Sequence, residues 1–315
     1  MATYNGARFL EEQLTSFAQQ DRLPDELVVC DDGSTDDTLD ILARFAREAP
    51  FRVRIERNAE NLGYVRNFEK ALSLCEGDLI FLSDQDDVWL QRKLAVVEAE
   101  FLADAMLMST INDMYITDEK LNHSGVTQLG NILQAGQPER MFRAGCCIAI
   151  RKKALDVLFP FPVEDYPHDA WITEITRSLG VRKVLPVPLQ LYRRHGKTET
   201  VSYLSEPKSV NILKQASHLN LASPLDGWDI HFHLIGIKQK WVEARRRDLE
   251  VMGLGHRVDP FLKELEQEER NIRDRIAILR LPRLMRLPRV LVFWMSGRYQ
   301  YFTGWKSALK DAIRR

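Results

Sequence analysis

The chain has 315 residues and a mass of 36.5 kDa, more than one domain of ordinary size holds, so about two are expected. Hydrophobic residues make up 45% and charged residues 28%, which excludes a largely disordered polymer. With 44 Lys+Arg against 45 Asp+Glu, a formal charge of −1, a nucleic-acid binder driven by overall charge is excluded too. The apolar runs LIFL and VLVFWM are far shorter than the roughly 20 residues of a membrane-spanning helix. MATYNGARFL carries no signal-peptide pattern. Cys30, Cys75, Cys146 and Cys147 lack CxxC spacing, as in a reduced, cytoplasmic chain with buried thiols.

Along the chain, residues 7–20 place Phe9, Leu10, Leu14 and Phe17 on one helical face. LVVCDD at 27–32 is a buried strand stopped by acids. Ser34 with Asp37 resembles a capping box, ahead of a helix through Leu39, Leu42 and Phe45. RVRIER at 52–57 alternates as a strand, 64–75 reads as a helix, 78–84 as a strand and 88–103 as a helix. This alternation predicts an α/β fold, an open, mostly parallel sheet with helices on both faces. Two short strands are expected within 106–117, a polar loop over 120–140, a strand at 146–150, a helix at 168–179 and an extended segment at 181–193. Charged helical stretches follow at 238–250 and 260–280, with a soft boundary near 205–225.

Ligands of such sheets sit beyond the carboxyl ends of the strands, and two of these strands end in acids. No GxGxxG or GxxxxGK[ST] occurs, so the usual phosphate-cradling loops are absent. Carboxylates at Asp31 and Asp32 would repel phosphate but suit ribose hydroxyls or a pyrimidine N–H; ordinary turn chemistry explains Gly33, Ser34 and Asp37 equally well. Asp84, Asp86 and Asp87 crowd three like charges into four residues, a repulsion that Mg²⁺ or Mn²⁺ relieves. A solvated acidic turn is the alternative.

Four segments in order, ATYNG at 2–6, VVCDDGSTDDT at 28–38, NLGYVRNFEKAL at 61–72 and FLSDQDDVW at 81–89, resemble the family 2 glycosyltransferases of the GT-A, Rossmann-like fold. SDQDDVW is especially similar to bacterial rhamnosyltransferase-like members that build surface polysaccharide. The resemblance implies that Thr3 and Tyr4 line the nucleoside pocket, that Asp32 with Asp31 faces base and ribose, and that Arg66 approaches the diphosphate. Asp84 and Asp86 match the outer positions of the DxD motif, with Asp84 on the ribose or sugar side and Asp86 as main metal contact. Asp169, in Tyr166-Pro167-His168-Asp169, matches the acid that serves as catalytic base in inverting members. His195, in Tyr192-Arg193-Arg194-His195-Gly196, matches a position that completes the metal shell or touches the diphosphate.

The implied activity is metal-dependent, inverting transfer of a sugar, such as L-rhamnose from dTDP-rhamnose, to a saccharide acceptor that could be lipid-linked. The donor is thus a dTDP- or UDP-sugar and nucleic acid is no partner. A donor such as UDP-galactose or UDP-glucose, a nucleotidyl transferase and a degenerate sugar-nucleotide scaffold are the other readings. The family carries apolar residues ahead of ATYNG, so the first strand is expected to be a stub with a poorly ordered N-terminus.

Residues 1–210 are thereby assigned to the catalytic domain and 211–315 to a helical extension. From Arg280 onward the extension carries Arg280, Arg283, Arg286, Arg289, Arg298, Lys306, Lys310, Arg314 and Arg315 against the single acid Asp311. Leu281, Leu284, Leu287, Val290, Leu291 and Trp294 interleave with them, and Pro282 and Pro288 are expected to break the segment. The pattern suits either packing on the catalytic domain or a peripheral anchor on the anionic inner face of a membrane.

Overall fold

The computed structural model describes residues 1–162, 166–196 and 228–314; the boundary expected at 205–225 and Arg315 lie outside them. Two compact units are present, residues 1–132 with 140–209 and residues 133–139 with 210–315.

The first unit opens with β1 (Ala2–Thr3), α1 (Ala7–Ala18), β2 (Glu26–Asp31), α2 (Thr38–Glu48) and β3 (Arg52–Arg57). The three strands form a parallel sheet in the order β1-β2-β3, the arrangement that helical crossovers impose. Leu10, Leu14 and Phe17 of α1 pack against Leu27 and Val29 of β2 and Ile41 and Leu42 of α2. After α3 (Gly63–Leu74) come β4 (Leu79–Phe81), β5 (Val88–Trp89), α4 (Lys93–Ala103), β6 (Ser109–Thr117), α5 (Gln128–Gln134), β7 (Ile148–Arg151), α6 (Leu155–Leu158), α7 (His168–Ser178) and β8 (Arg182–Arg193). Their strands make a second sheet in the order β4-β7-β6-β8-β5. Here β6 and β8 run parallel while β7 and β5 pair antiparallel to their neighbours. Parallel pairing therefore holds within β1-β2-β3 and between β6 and β8, and gives way at the short strands β4, β5 and β7.

Several local expectations are corrected. Val88 and Trp89 are not helical but bond to Leu191 and Gln190 of β8, and α4 starts only at Lys93. Residues 106–117 hold one strand rather than two, with register shifts around Asp113. The expected loop at 120–140 contains α5. Ser34 does not cap α2, because its N–H and hydroxyl are donated to Asp31. The N-terminus is not loose: Met1 is 7% exposed, its ammonium donates to the Val28 carbonyl at 2.8 Å, and burial lowers the ammonium's pKa.

The second unit contains α8 (Trp228–Ala244), α9 (Arg246–Val251), α10 (Gly255–Leu279), α11 (Arg283–Met295) and α12 (Trp305–Ile313). Ile278, Val290, Phe293, Tyr299 and Ala308 form its terminal core. Buried Arg275 donates to both oxygens of Asp311 at 2.7 and 2.9 Å, and the Tyr299 hydroxyl donates to the same carboxylate. Pro288 does not break the segment but sits inside α11. Among the described residues no helix is long and apolar enough to cross a membrane.

Candidate active site

The first strand end is built around buried acids. Asp31 accepts from the Thr3 hydroxyl at 2.9 Å, the Gly33 and Ser34 amides at 3.2 and 2.8 Å, and the Ser34 hydroxyl at 2.5 Å. Four donors saturate a carboxylate, so Asp31 and Thr3 shape the turn instead of offering free groups to a ligand. Gly33, at φ +87°, takes the left-handed conformation that this turn requires. Asp32 accepts from the Asn58 amide at 2.7 Å and from the Leu62 and Gly63 N–H groups at 2.8 and 3.0 Å. It thereby satisfies orphan donors at the start of α3 and still lines a cleft of about 570 Å³ with Tyr4, Gly33, Arg57, Asn58 and Asn61. That size suits a small organic ligand. Tyr4, 51% exposed, stands at its mouth.

Gln85 joins this cleft to the second acidic turn. Its side chain accepts from the Tyr4 N–H at 2.9 Å and donates to the Tyr4 carbonyl at 3.1 Å. A Cβ at position 6 would lie 2.2 Å from its oxygen, so Gly6 is what lets the two turns touch. Gln85 lies inside SDQDDVW, yet only the folded chain reveals this bridge.

At the second turn, the Asp86 carboxylate meets His195 Nε2 at 2.8 Å, and the His195 ring packs on Phe9 at 4.9 Å. Asp87 is fully buried and accepts from the Gln190 side chain and the Arg193 N–H. The Asp84 carboxylate accepts no hydrogen bond from the described residues, although the Asp84 carbonyl accepts one from the Ser83 hydroxyl at 2.8 Å. Burial, then the charges of Asp86 and Asp169, push its carboxyl up to about 7. Burial and the charges of Asp86 and Asp84 likewise push Asp87 well above the ordinary carboxylate range. Asp84, Asp87 and Cys146 are the described group whose ligand atoms converge, all within 4.8 Å; Asp86 and His195 pair with each other.

Two cations support this turn, and neither was singled out from the sequence. Arg193, 2% exposed, donates to the Asp86 carbonyl at 2.8 Å and pairs with Glu12. Lys93, 1% exposed, donates to the Cys146 carbonyl at 2.9 Å and lies 4.0 Å from the Trp89 ring centroid. Burial lowers its pKa to about 8. A lysine in an apolar helical pattern carries no signal that it will be buried against an acidic turn.

Asp169 lies in the first turn of α7, where one carboxylate oxygen accepts the Ala170 N–H. The charge it exerts on Asp84 places the two acids in one electrostatic field. His168 anchors this helix start by stacking on Phe68 of α3 at 4.2 Å. Neither of its ring nitrogens has a partner among the described residues, and burial lowers its pKa to about 4. Arg66 is already engaged, with Glu69 and with the Phe161 carbonyl at 3.3 Å. Both contacts run through Nη1, and a guanidinium carries further donors at Nη2 and Nε.

The sequence pattern of glycosyl transferase family 2 matches residues 1–159. An uncharacterized glycosyltransferase of Nostoc is 28% identical over 227 residues, covering 69% of this chain and 70% of that protein. The dTDP-rhamnosyl transferase RfbG of Shigella flexneri is 26% identical over 234 residues, covering 68% and 79%. In three dimensions the chain resembles the crystal structure of Staphylococcus aureus TarS residues 1–349, with a TM-score of 0.50 at 17% identity, covering 99% and 87%. This likeness supports the GT-A fold.

Proposed function

The chain belongs to glycosyl transferase family 2 and is a glycosyltransferase using a nucleotide-sugar, and from that premise we propose inverting, metal-dependent transfer to a saccharide acceptor. The observation that carries this reading is the gathering of Asp84, Asp86 and Asp87 within one turn after β4, where burial first, and then the charges of Asp86 and Asp169, push the Asp84 carboxyl up to about 7. Oxygen donors under such repulsion fit Mg²⁺ or Mn²⁺. Asp86 and His195, with Asp84 beside them, would hold the ion. Cys146, whose thiol is pushed well above its ordinary pKa first by its contact with Cys147 and then by burial, suits a hard cation poorly. When bound, the ion would neutralise charge on the departing nucleoside diphosphate.

The protein's own groups divide the remaining work. Tyr4 and Asp32 would receive the nucleoside in the cleft they line, on the turn that Thr3 and Asp31 brace. Arg66 would offer its remaining guanidinium donors to the diphosphate oxygens. The Asp169 carboxylate would take the proton of the acceptor hydroxyl as that oxygen bonds to C1 of the sugar. The C1–O bond to the diphosphate breaks with its electron pair leaving on the nucleotide, which inverts C1.

The donor proposed is dTDP-L-rhamnose, supported by the similarity to RfbG and by the SDQDDVW motif, with surface polysaccharide as the setting. The test is thermal stabilisation by UDP-, dTDP- and GDP-sugars with and without Mn²⁺. The expected result is a shift with dTDP-rhamnose that requires the metal. A shift of equal size in excess EDTA would remove the metal, and one confined to a UDP-sugar would replace the donor.

A further inference from the structure

The fold divides the apolar residues of α11 between two opposite faces. Arg286, Val290 and Phe293, at i, i+4 and i+7, turn inward. The Arg286 guanidinium donates to the carbonyls of Leu279, Leu281, Asp311 and Arg314, so this cation is spent inside the unit. Leu284, Met285, Leu287, Leu291, Val292, Trp294 and Met295 form one broad outward face, and at helical spacing Arg283 and Arg289 fall at its two edges. Leu284 is 84% exposed, Leu291 52% and Met295 76%. A continuous apolar stripe on a water-facing helix marks a surface that something covers.

Charge says what covers it. Arg298 is paired with Asp274, Lys306 donates to the Ala135 carbonyl, and Arg314 stands by Asp311. Arg280, Arg283 and Arg289 remain exposed, with no acid in ion-pair reach among the described residues. Asp311, the only acid beyond Arg280, is fully buried. Exposed Trp305 and Tyr301 follow in the next turns, and such aromatics favour the lipid–water boundary. A second copy meeting this stripe would set its arginines against their own kind. An anionic bilayer offers apolar depth for the stripe and phosphates for the arginines.

We propose that α11 lies in the surface of an anionic phospholipid membrane, with Leu284, Leu287, Leu291 and Trp294 immersed and Arg280, Arg283 and Arg289 on lipid phosphates. The inference rests on the second unit alone and is independent of the donor site. The test is co-sedimentation of the full chain with phosphatidylcholine vesicles, with and without phosphatidylglycerol. Binding is expected only with phosphatidylglycerol, weakening as salt rises. Arg280→Glu, Arg283→Glu and Arg289→Glu together should lower the partition coefficient by about 10²-fold or more. Leu284→Asp with Leu291→Asp should lower it as well, and both sets should keep the melting temperature because the positions are exposed. A chain that stays in the supernatant with anionic vesicles overturns the proposal. So does self-association that Leu291→Asp abolishes, which would make a second copy the occupant.

Discussion

Two acid-rich turns, one after β2 and one after β4, look alike in sequence and behave as opposites in the fold. Asp31 and Asp32 are almost wholly buried, and their carboxylates collect seven donors. Charge there is stabilised by hydrogen bonds. The Asp84 carboxylate has no donor among the described residues and stands among Asp86, Asp87 and Asp169. Charge there is left over. Neighbours, not acid count, decide whether a carboxylate holds structure or waits for a ligand.

The sharpest way to test the contrast is to remove acids from the second turn. Asp169→Asn should lower kcat by about 10²–10⁴-fold, the usual worth of a general base, with donor binding nearly unchanged. Asp86→Ala should abolish most turnover while the melting temperature holds or rises, since it relieves repulsion on Asp84. Near-normal kcat in Asp169→Asn would leave that residue only its place at the helix start. The first turn should respond in the other currency. Asp31→Ala strands buried donors at Thr3, Gly33 and Ser34 and should cost about 3–5 kcal/mol of stability, read by denaturant unfolding. An unchanged unfolding midpoint would dissolve the distinction.

The pH dependence sharpens it further. The His168 imidazole resists a proton until about pH 4, whereas the unfolded group takes one near 6.5. Stability present above pH 6.5 should therefore fall by roughly 3 kcal/mol as pH drops to 4. His168→Phe, which keeps the stack on Phe68, should flatten that slope. Asp84 acts in the other direction: its folded carboxyl holds a proton up to about 7 while the unfolded one releases it near 3.8. The metal-free chain should thus lose stability as pH rises through that window. Added Mn²⁺ should raise the melting temperature more at pH 8 than at pH 5.5, and Asp84→Asn should remove both effects. A metal-induced shift that is flat with pH would separate Asp84 from the ion.

Most elements were legible because their signals are local. α1, β2, β3, α3 and α7 follow from apolar periodicity, and their ends fall within a few residues of expectation. β5 was not legible, since two residues can be read as a strand only once Leu191 and Gln190 lie beside them. Nor was α5, hidden in a polar stretch.

The sequence by itself determined the alternation of strands and helices in the first unit, the family, and the positions of the acids after the strands. Each depends on neighbours along the chain. Only the tertiary structure decided that Asp31 is saturated and Asp84 is not, that Lys93 and Arg193 are buried beneath the second turn, and that Arg286 turns inward while Arg283 and Arg289 face water. Those outcomes depend on which donors, charges and carbonyls arrive from segments more than a hundred residues away, and desolvation makes each arrival count.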